Sequence, residues 1–377
     1  MRVALVAEFY PRRDDGVLGV WTHRQALASV AAGAEVTVFV LHRIVPPQRQ
    51  LGRLWALARQ PSFARLDGLE VRYVRYVSPP RGRWYASWAR FAMPALRRAL
   101  TAAGKFDVIH AHNAVPAGDA VLRSKLGVPL VVSVHGGDVL WTPSHVPGGR
   151  EAVERVLGSA ELVLANSAGI ERLARAHGAH RSRVVHLGTD VPALVPERSP
   201  TPLIATVAHL VARKRHADVL EALARLPGVR YLVIGDGPER GALAALARRL
   251  GVAERVEFTG ALEPAQATAR AGAAWCFVMP STEEAFGVAY VEAMAAGIPA
   301  IGCDGEPGPS EIAAVGGGIE LVPPRSPAIL AERLRALLTD GDARRALGAR
   351  GRETVTREFT WERCGAQTLA AYEEALR

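Results

Sequence analysis

The stretch Trp275 to Pro299, WCFVMPSTEEAFGVAYVEAMAAGIP, limits the fold more than any other part of the chain. Trp275 to Met279 is a short apolar run of strand type that Pro280, Ser281, Thr282, Glu283 and Glu284 cannot continue, and a helical pattern begins near Gly287. Gly297 stands where a left-handed helix cap is wanted, with Pro299 just beyond it. Strand, polar loop and helix make the unit of an open parallel sheet, in which ligands bind outside the carboxyl ends of the strands. That rim would carry Glu284 in the loop, Glu292 in an otherwise small and apolar helix, and the backbone N–H groups around Phe286 and Gly287. Carboxylates accept hydrogen bonds from hydroxyls and a helix N-terminus suits an anion, so the set fits a sugar joined to phosphate. By residue type alone, Glu284 could equally favour a helix start and Glu292 a solvated face.

The same unit recurs along the chain. Met1 to Ala7 reads as the first strand, Phe9 to Gly19 as a loop, and Val20 to Gly33 as a helical pattern through Trp21, Leu27 and Val30; Glu35 to Leu41 is the second strand. Gly16 and Gly19 would let backbone approach a phosphate where the helix begins, although a plain turn explains them too. Their spacing is not Gly-x-Gly-x-x-Gly, which gives a nicotinamide or flavin cofactor little support. Further strands are expected at Phe106 to His112, Pro129 to Val134, Glu161 to Asn166 and Arg183 to Leu187. The fourth of these six, PLVVSV, delivers His135-Gly136-Gly137-Asp138 to the rim, where the His ring is open to a ligand or is a satisfied structural residue.

Val191 to Pro202 holds four prolines and reads as a linker, which divides the chain into 1–190, a linker at 191–202, and a second domain at 203–355, with 356–377 as a closing helix. The second domain opens with the strand Leu203 to Val207, followed by the cationic cluster His209 to His216 with Arg213 and Lys214. Positive charge at a strand end would stabilise a departing diphosphate, or simply mark an exposed helix start. Tyr231 to Ile234 and Arg255 to Phe258 are the next strands, Gly305 to Glu311 and Gly316 to Gly318 read as turns, and Leu330 to Leu338, Ala343 to Leu347 and Thr360 to Leu376 as amphipathic helices.

Length and charge narrow the class. A chain of 377 residues that is 49% hydrophobic suits two packed domains, and no run approaches a membrane helix or a cleaved leader. Cys276, Cys303 and Cys364 have no paired or metal-type spacing, and Asp14-Asp15 beside a glycine is no metal site by itself. A cytosolic protein is therefore expected. Of the net charge of +9, the segment Arg43 to Arg98 carries twelve arginines against Asp67 and Glu70, a local +10. Trp55, Trp84 and Trp88 lie among them, a mixture that suits an anionic membrane surface or a solvated arginine-rich face.

The string Glu284-x-Phe286-Gly287, Glu292-Ala293-Met294 and Gly297-x-Pro299 resembles the donor-site signature of the retaining glycosyltransferases with two facing Rossmann-like domains, the GT-B architecture of glycosyltransferase family 4 and the glycosyl transferases group 1. The resemblance implies an α/β chain of two doubly wound Rossmann-like domains facing across a cleft, with the C-terminal helix crossing back to the first domain. It implies Glu284 near the donor sugar hydroxyls, backbone N–H groups of Phe286, Gly287 and Val288 on the donor, and Glu292 on the ribose diol. His135 falls in a His-Gly-x-Asp motif near the reacting sugar, Gly19 in the loop facing the donor diphosphate, and Lys214 on the family's lysine. The family's arginine position is His209 here, a departure that Arg213 would have to make good.

The activity so implied is transfer of a sugar from a nucleotide-sugar to a hydroxyl of a sugar or lipid-linked acceptor, in cell-surface polysaccharide or glycolipid synthesis. No cofactor and no metal are expected, nor nucleic acid as a partner; a peripheral position on the inner membrane face would use the Arg43–Arg98 segment. Two alternatives are a nucleotide-sugar epimerase on the same architecture and a non-catalytic basic binder of membrane or nucleic acid.

Overall fold

The computed structural model describes residues 1–13, 15–44 and 54–377, without the side chains of 54–56. Asp14, Arg49 and Arg53 and the side chain of Trp55 lie outside the described residues. The chain forms two compact units, Met1–Leu187 with Trp361–Arg377, and Gly188–Thr360.

The first unit is built on strands β1 (Arg2–Ala7), β2 (Glu35–Arg43), β3 (Phe63–Leu66), β4 (Leu69–Tyr76), β5 (Val108–His112), β6 (Leu130–Val134), β7 (Leu162–Ala165) and β8 (Ser182–Val184). They pair in the order β3-β4-β2-β1-β5-β6-β7-β8, all parallel except the β3–β4 hairpin. The strands β1, β6 and β7 are apolar nearly throughout, and with β5, which carries His110 and His112, they are buried nearly along their length, as strands covered on both faces must be. The hairpin carries a readable signal that the arginine count obscured: in LEVRYVRY, Leu69, Val71 and Tyr73 are buried while Glu70 and Arg72 alternate outward. The helix Trp88–Ala102 buries Trp88, Ala92, Leu96 and Leu100, one residue per turn, and turns its arginines out.

The closing helix, Trp361–Ala375, belongs to this first unit. Gly365 makes its packing possible, because a Cβ there would lie 2.1 Å from the Ala28 carbonyl oxygen of the helix Val20–Ala31. Cys364, Ala371 and Tyr372 join the same core as Val3, Leu5 and Val131.

The second unit contains β9 (Leu203–Val207), β10 (Arg230–Ile234), β11 (Val256–Gly260), β12 (Cys276–Val278), β13 (Ala300–Cys303) and β14 (Ile319–Val322), in the order β11-β10-β9-β12-β13-β14 and parallel throughout. Its core gathers Ile204, Leu220, Tyr231, Val233, Val278, Ile301 and Leu334. The proline-rich stretch 191–202 falls inside this unit, tied down by Arg198, which donates to the carbonyls of Gly272 and Ala296, both at 2.7 Å. Two readings of the sequence are corrected. Gly305 to Glu311 is largely helix, Pro307–Val315, because a proline at the first helical position gives up an N–H that has no partner there anyway. The short helix expected at Ala343 to Leu347 runs from Gly341 to Glu358, its start capped by Asp340 Oδ1 accepting from the Ala343 N–H at 2.8 Å.

Candidate functional site

In each sheet the chain builds outward on one side and then returns to the other side of its first strand. The switch points are therefore β1/β5 in the first unit and β9/β12 in the second. The polar residues of interest collect at both.

At the second switch point the loop after β12 brings Glu284 to Lys214 of the loop after β9. Lys214 Nζ donates to Glu284 Oε2, and Ser281 Oγ donates to the same oxygen at 2.9 Å. The backbone is latched on several sides. The Thr282 N–H donates to the Arg213 carbonyl at 2.8 Å, the Glu284 N–H to Glu306 Oε2 at 2.9 Å, and the Gly308 N–H to the Glu284 carbonyl at 2.9 Å. Burial alone would push the Glu284 carboxyl up, but the Lys214 charge and hydrogen bond, with Arg213 and Ser281, outweigh it and hold it below its ordinary value. Glu284 is thus an ionised, buried acceptor. Sequence reasoning missed Glu306; the acid directly before Pro307 was its only signal.

The helix Val288–Ala295 starts at Gly287, whose φ of 85° is left-handed, so its first-turn N–H groups open the helix where Glu284 ends the loop. The side chain of Phe286 points elsewhere: it is buried and packs edge-on against Phe359, with ring centroids 5.5 Å apart. Val288 is half-buried at the first helical position. Glu292, one turn on, is half-buried; burial, with a smaller contribution from the Asp190 carboxylate, raises its carboxyl to about 7. Arg213 is exposed and donates to the Glu283 carbonyl at 3.4 Å, whereas His209 stays exposed at the start of the loop. Lys214 and Arg213 are therefore brought to the Glu284 loop and His209 is not.

The first switch point holds neutral imidazoles beside two buried carboxylates, Glu8 and Asp138. His135 follows β6 and pairs with His112, the last residue of β5, through His135 Nε2 and His112 Nδ1 at 2.9 Å. Burial lowers His135 to about 4 and His110 to about 3, and holds His112 well below its ordinary value, so all three rings are uncharged at neutral pH. Asp138 shapes the loop, accepting from Asn113 Nδ2 at 2.8 Å, the Ala114 N–H at 2.8 Å and the His135 N–H at 3.2 Å. After β1, the buried Glu8 accepts from the Tyr85 hydroxyl at 2.7 Å; neither residue stood out in the sequence. Gly19 has φ 67°, and an added Cβ would meet the Phe9 carbonyl at 2.2 Å, so a glycine is required there; Gly16 has nothing within 4 Å. Among the described residues no three His, Cys, Asp or Glu side chains are grouped as a metal set.

Two Rossmann-like units, each with its polar residues at the switch point of its sheet, define the class as a GT-B glycosyltransferase. The comparisons specify it further: residues 18–192 match the model "Glycosyltransferase Family 4" and 194–354 match "Glycosyl transferases group 1", and the chain belongs to that family. A Mycobacterium tuberculosis GDP-mannose-dependent alpha-(1-6)-phosphatidylinositol monomannoside mannosyltransferase is 27% identical over 346 residues, 84% of this chain and 82% of that one. A Corynebacterium glutamicum GDP-mannose-dependent monoacylated alpha-(1-6)-phosphatidylinositol monomannoside mannosyltransferase is 30% identical over 272 residues, 63% and 68% of the two chains. Among solved structures, sucrose-phosphate synthase from Thermosynechococcus elongatus superposes with a TM-score of 0.82 at 21% identity over 99% of this chain and 98% of that one. Anabaena HepE in complex with UDP-glucose gives 0.72 at 19% identity over 100% of both.

Proposed function

We propose that this glycosyltransferase moves a sugar from a nucleotide-sugar to a hydroxyl of a sugar or lipid-linked acceptor with retention at the anomeric carbon. The observation that carries the reading is the Lys214–Glu284 pair at the β9/β12 switch point, beside the N-terminus of the helix Val288–Ala295. An ionised Glu284 accepts hydrogen bonds from donor hydroxyls and cannot donate. Gly287 and Val288 present the helix N-terminus to the donor, and Lys214 and Arg213 stabilise the diphosphate as charge develops on it. Glu292 takes the ribose diol, and His135 binds the reacting sugar as a neutral imidazole. The bond from the anomeric carbon to the phosphate oxygen breaks, the bond to the acceptor oxygen forms, and the acceptor's proton passes to the departing phosphate on the same face.

The relatives named for GDP-mannose make GDP-mannose the first donor to try. Neither the epimerase nor the non-catalytic reading is favoured by such relatives. The test is a calorimetric titration with UDP, GDP, ADP and dTDP, beside Glu292→Ala. Binding of one nucleotide that weakens in the variant supports the donor site; no binding at millimolar concentration removes it.

A membrane-facing role is part of the proposal. Val77, Trp84 and Phe91 are 58%, 47% and 43% exposed, close in the chain to the exposed Arg83, Arg90, Arg97 and Arg98. That mixture suits an anionic lipid surface on the cytoplasmic face. No described helix is long and apolar enough to cross a membrane. Sedimentation with phosphatidylglycerol vesicles should fall in Trp84→Ser/Phe91→Ser, while vesicles of phosphatidylcholine alone should bind neither protein.

A further inference from the structure

His112 ends β5 and His135 directly follows the neighbouring β6, and their rings face each other almost in one plane, with ring planes 15° apart and centroids 5.1 Å apart. A nitrogen pair at 2.9 Å shares one proton, so one ring donates and the other accepts. Because each neutral ring carries a single proton, the choice made in the shared bond fixes both outer nitrogens. If His112 Nδ1 donates, His135 must carry its proton on Nδ1 and offers a donor there. If His135 Nε2 donates, its Nδ1 is an acceptor and His112 carries its proton on Nε2.

Among the described residues neither outer nitrogen, His135 Nδ1 or His112 Nε2, has a hydrogen-bond partner. Most buried polar atoms have one. His112 is only 1% exposed and is held in place: the His110 ring lies 4.4 Å from it, and His110 is itself bonded to the Tyr372 hydroxyl and to Ser133 Oγ, both at 2.8 Å. His135 has a looser neighbour in Trp21, at 6.3 Å between ring centroids. The rigid partner is thus His112, and the ring that meets ligand in the proposed reaction is His135.

We propose that His112 is a positioning residue: its hydrogen bond fixes the plane of the His135 ring and sets whether His135 Nδ1 meets a substrate hydroxyl as donor or as acceptor. The inference rests on the transferase reading for its catalytic consequence and on geometry alone for the pairing.

The test uses the whole chain with 15N-labelled histidine. At neutral pH the wild type should show His135 as one neutral tautomer, with one protonated and one bare nitrogen. His112→Ala should give a mixture of tautomers, and His112→Asn, whose amide occupies the place of Nδ1, should restore a single one. In turnover, read as nucleoside diphosphate released from the nucleotide-sugar the wild type consumes, His112→Ala should lower kcat about tenfold with the donor KM within about twofold, and His112→Asn should recover most of it. A single tautomer and full kcat in His112→Ala overturns the proposal. So does a His112→Asn protein as impaired as His112→Ala, which would make His112 a packing residue only. If the wild type consumes no nucleotide-sugar the transferase reading fails, and the nitrogen spectra still decide whether His112 sets the His135 tautomer.

Discussion

The two switch points solve the problem of a buried polar site in opposite ways. In the second domain the site is charged: a carboxylate and an ammonium are buried together, and the loop carrying the carboxylate is latched by Arg213, Glu306 and Gly308. In the first domain the polar groups at β5 and β6 are imidazoles kept neutral by burial, with Asp138 spent on three loop hydrogen bonds. A buried ion pair is fragile to the loss of one partner, whereas a neutral pair loses only a hydrogen bond. The difference teaches that the donor-type site depends on charge balance and the first-domain site on ring orientation.

The largest effect should come from breaking the charged pair. Lys214→Ala leaves Glu284 buried without its cation, and should cost about 3–5 kcal/mol in stability by denaturant melting. The same change should lower kcat by about 10²–10³-fold. Lys214→Ala/Glu284→Ala should be more stable than Lys214→Ala; equal stabilities would mean that the pair is not the balanced unit described here. His135→Ala should cost much less stability than Lys214→Ala, since no charge is stranded.

Next in size are the backbone approaches. Gly19→Ala forces a Cβ into the Phe9 carbonyl at a left-handed φ and should destabilise the first domain by about 1–3 kcal/mol, while Gly16→Ala should be close to neutral. Similar melting curves for the two variants would refute the assignment of Gly19 as the required glycine.

Acid titration separates the domains by range. Histidines lowered in the folded state contribute stability that is full above about 6.5 and is lost as pH falls toward about 4 for His135. Glu284, held below 4.5, contributes stability present above that value and lost only below it. Hydrogen exchange followed against pH should therefore show the first domain loosening at higher pH than the Glu284 loop. Simultaneous loosening would count against the neutral-versus-charged contrast.

The smallest effect belongs to Glu292. Its carboxyl is raised to about 7, so it loses stability for the fold as pH rises from about 4.5 through 7. Glu292→Gln should gain on the wild type over that interval. Nucleotide affinity should improve from pH 6 to 8 in the wild type as the carboxylate forms, by about tenfold at most, and stay flat in Glu292→Gln.

Much of this was legible before any coordinates. The apolar strands, the glycine loop and the run from Trp275 to Pro299 announce two doubly wound units, because strand buried on both faces, polar loop and helix are local patterns with local causes. Glu292 could be chosen as a candidate because a carboxylate is odd in a small, apolar helix, whereas Glu284 and Lys214 were singled out by the resemblance of their loops to the family's donor-site signature. The helix Pro307–Val315 was hidden because two prolines and a glycine read as a turn, and the glycine is explained only by the Phe286 carbonyl it packs against. Only the tertiary structure decided that Phe286 is core, that Lys214 answers Glu284, that Glu306 holds the Glu284 backbone, and that His112 meets His135. These pairs are 70, 22 and 23 residues apart in sequence, and their partners are set by strand order and burial, which no local pattern encodes.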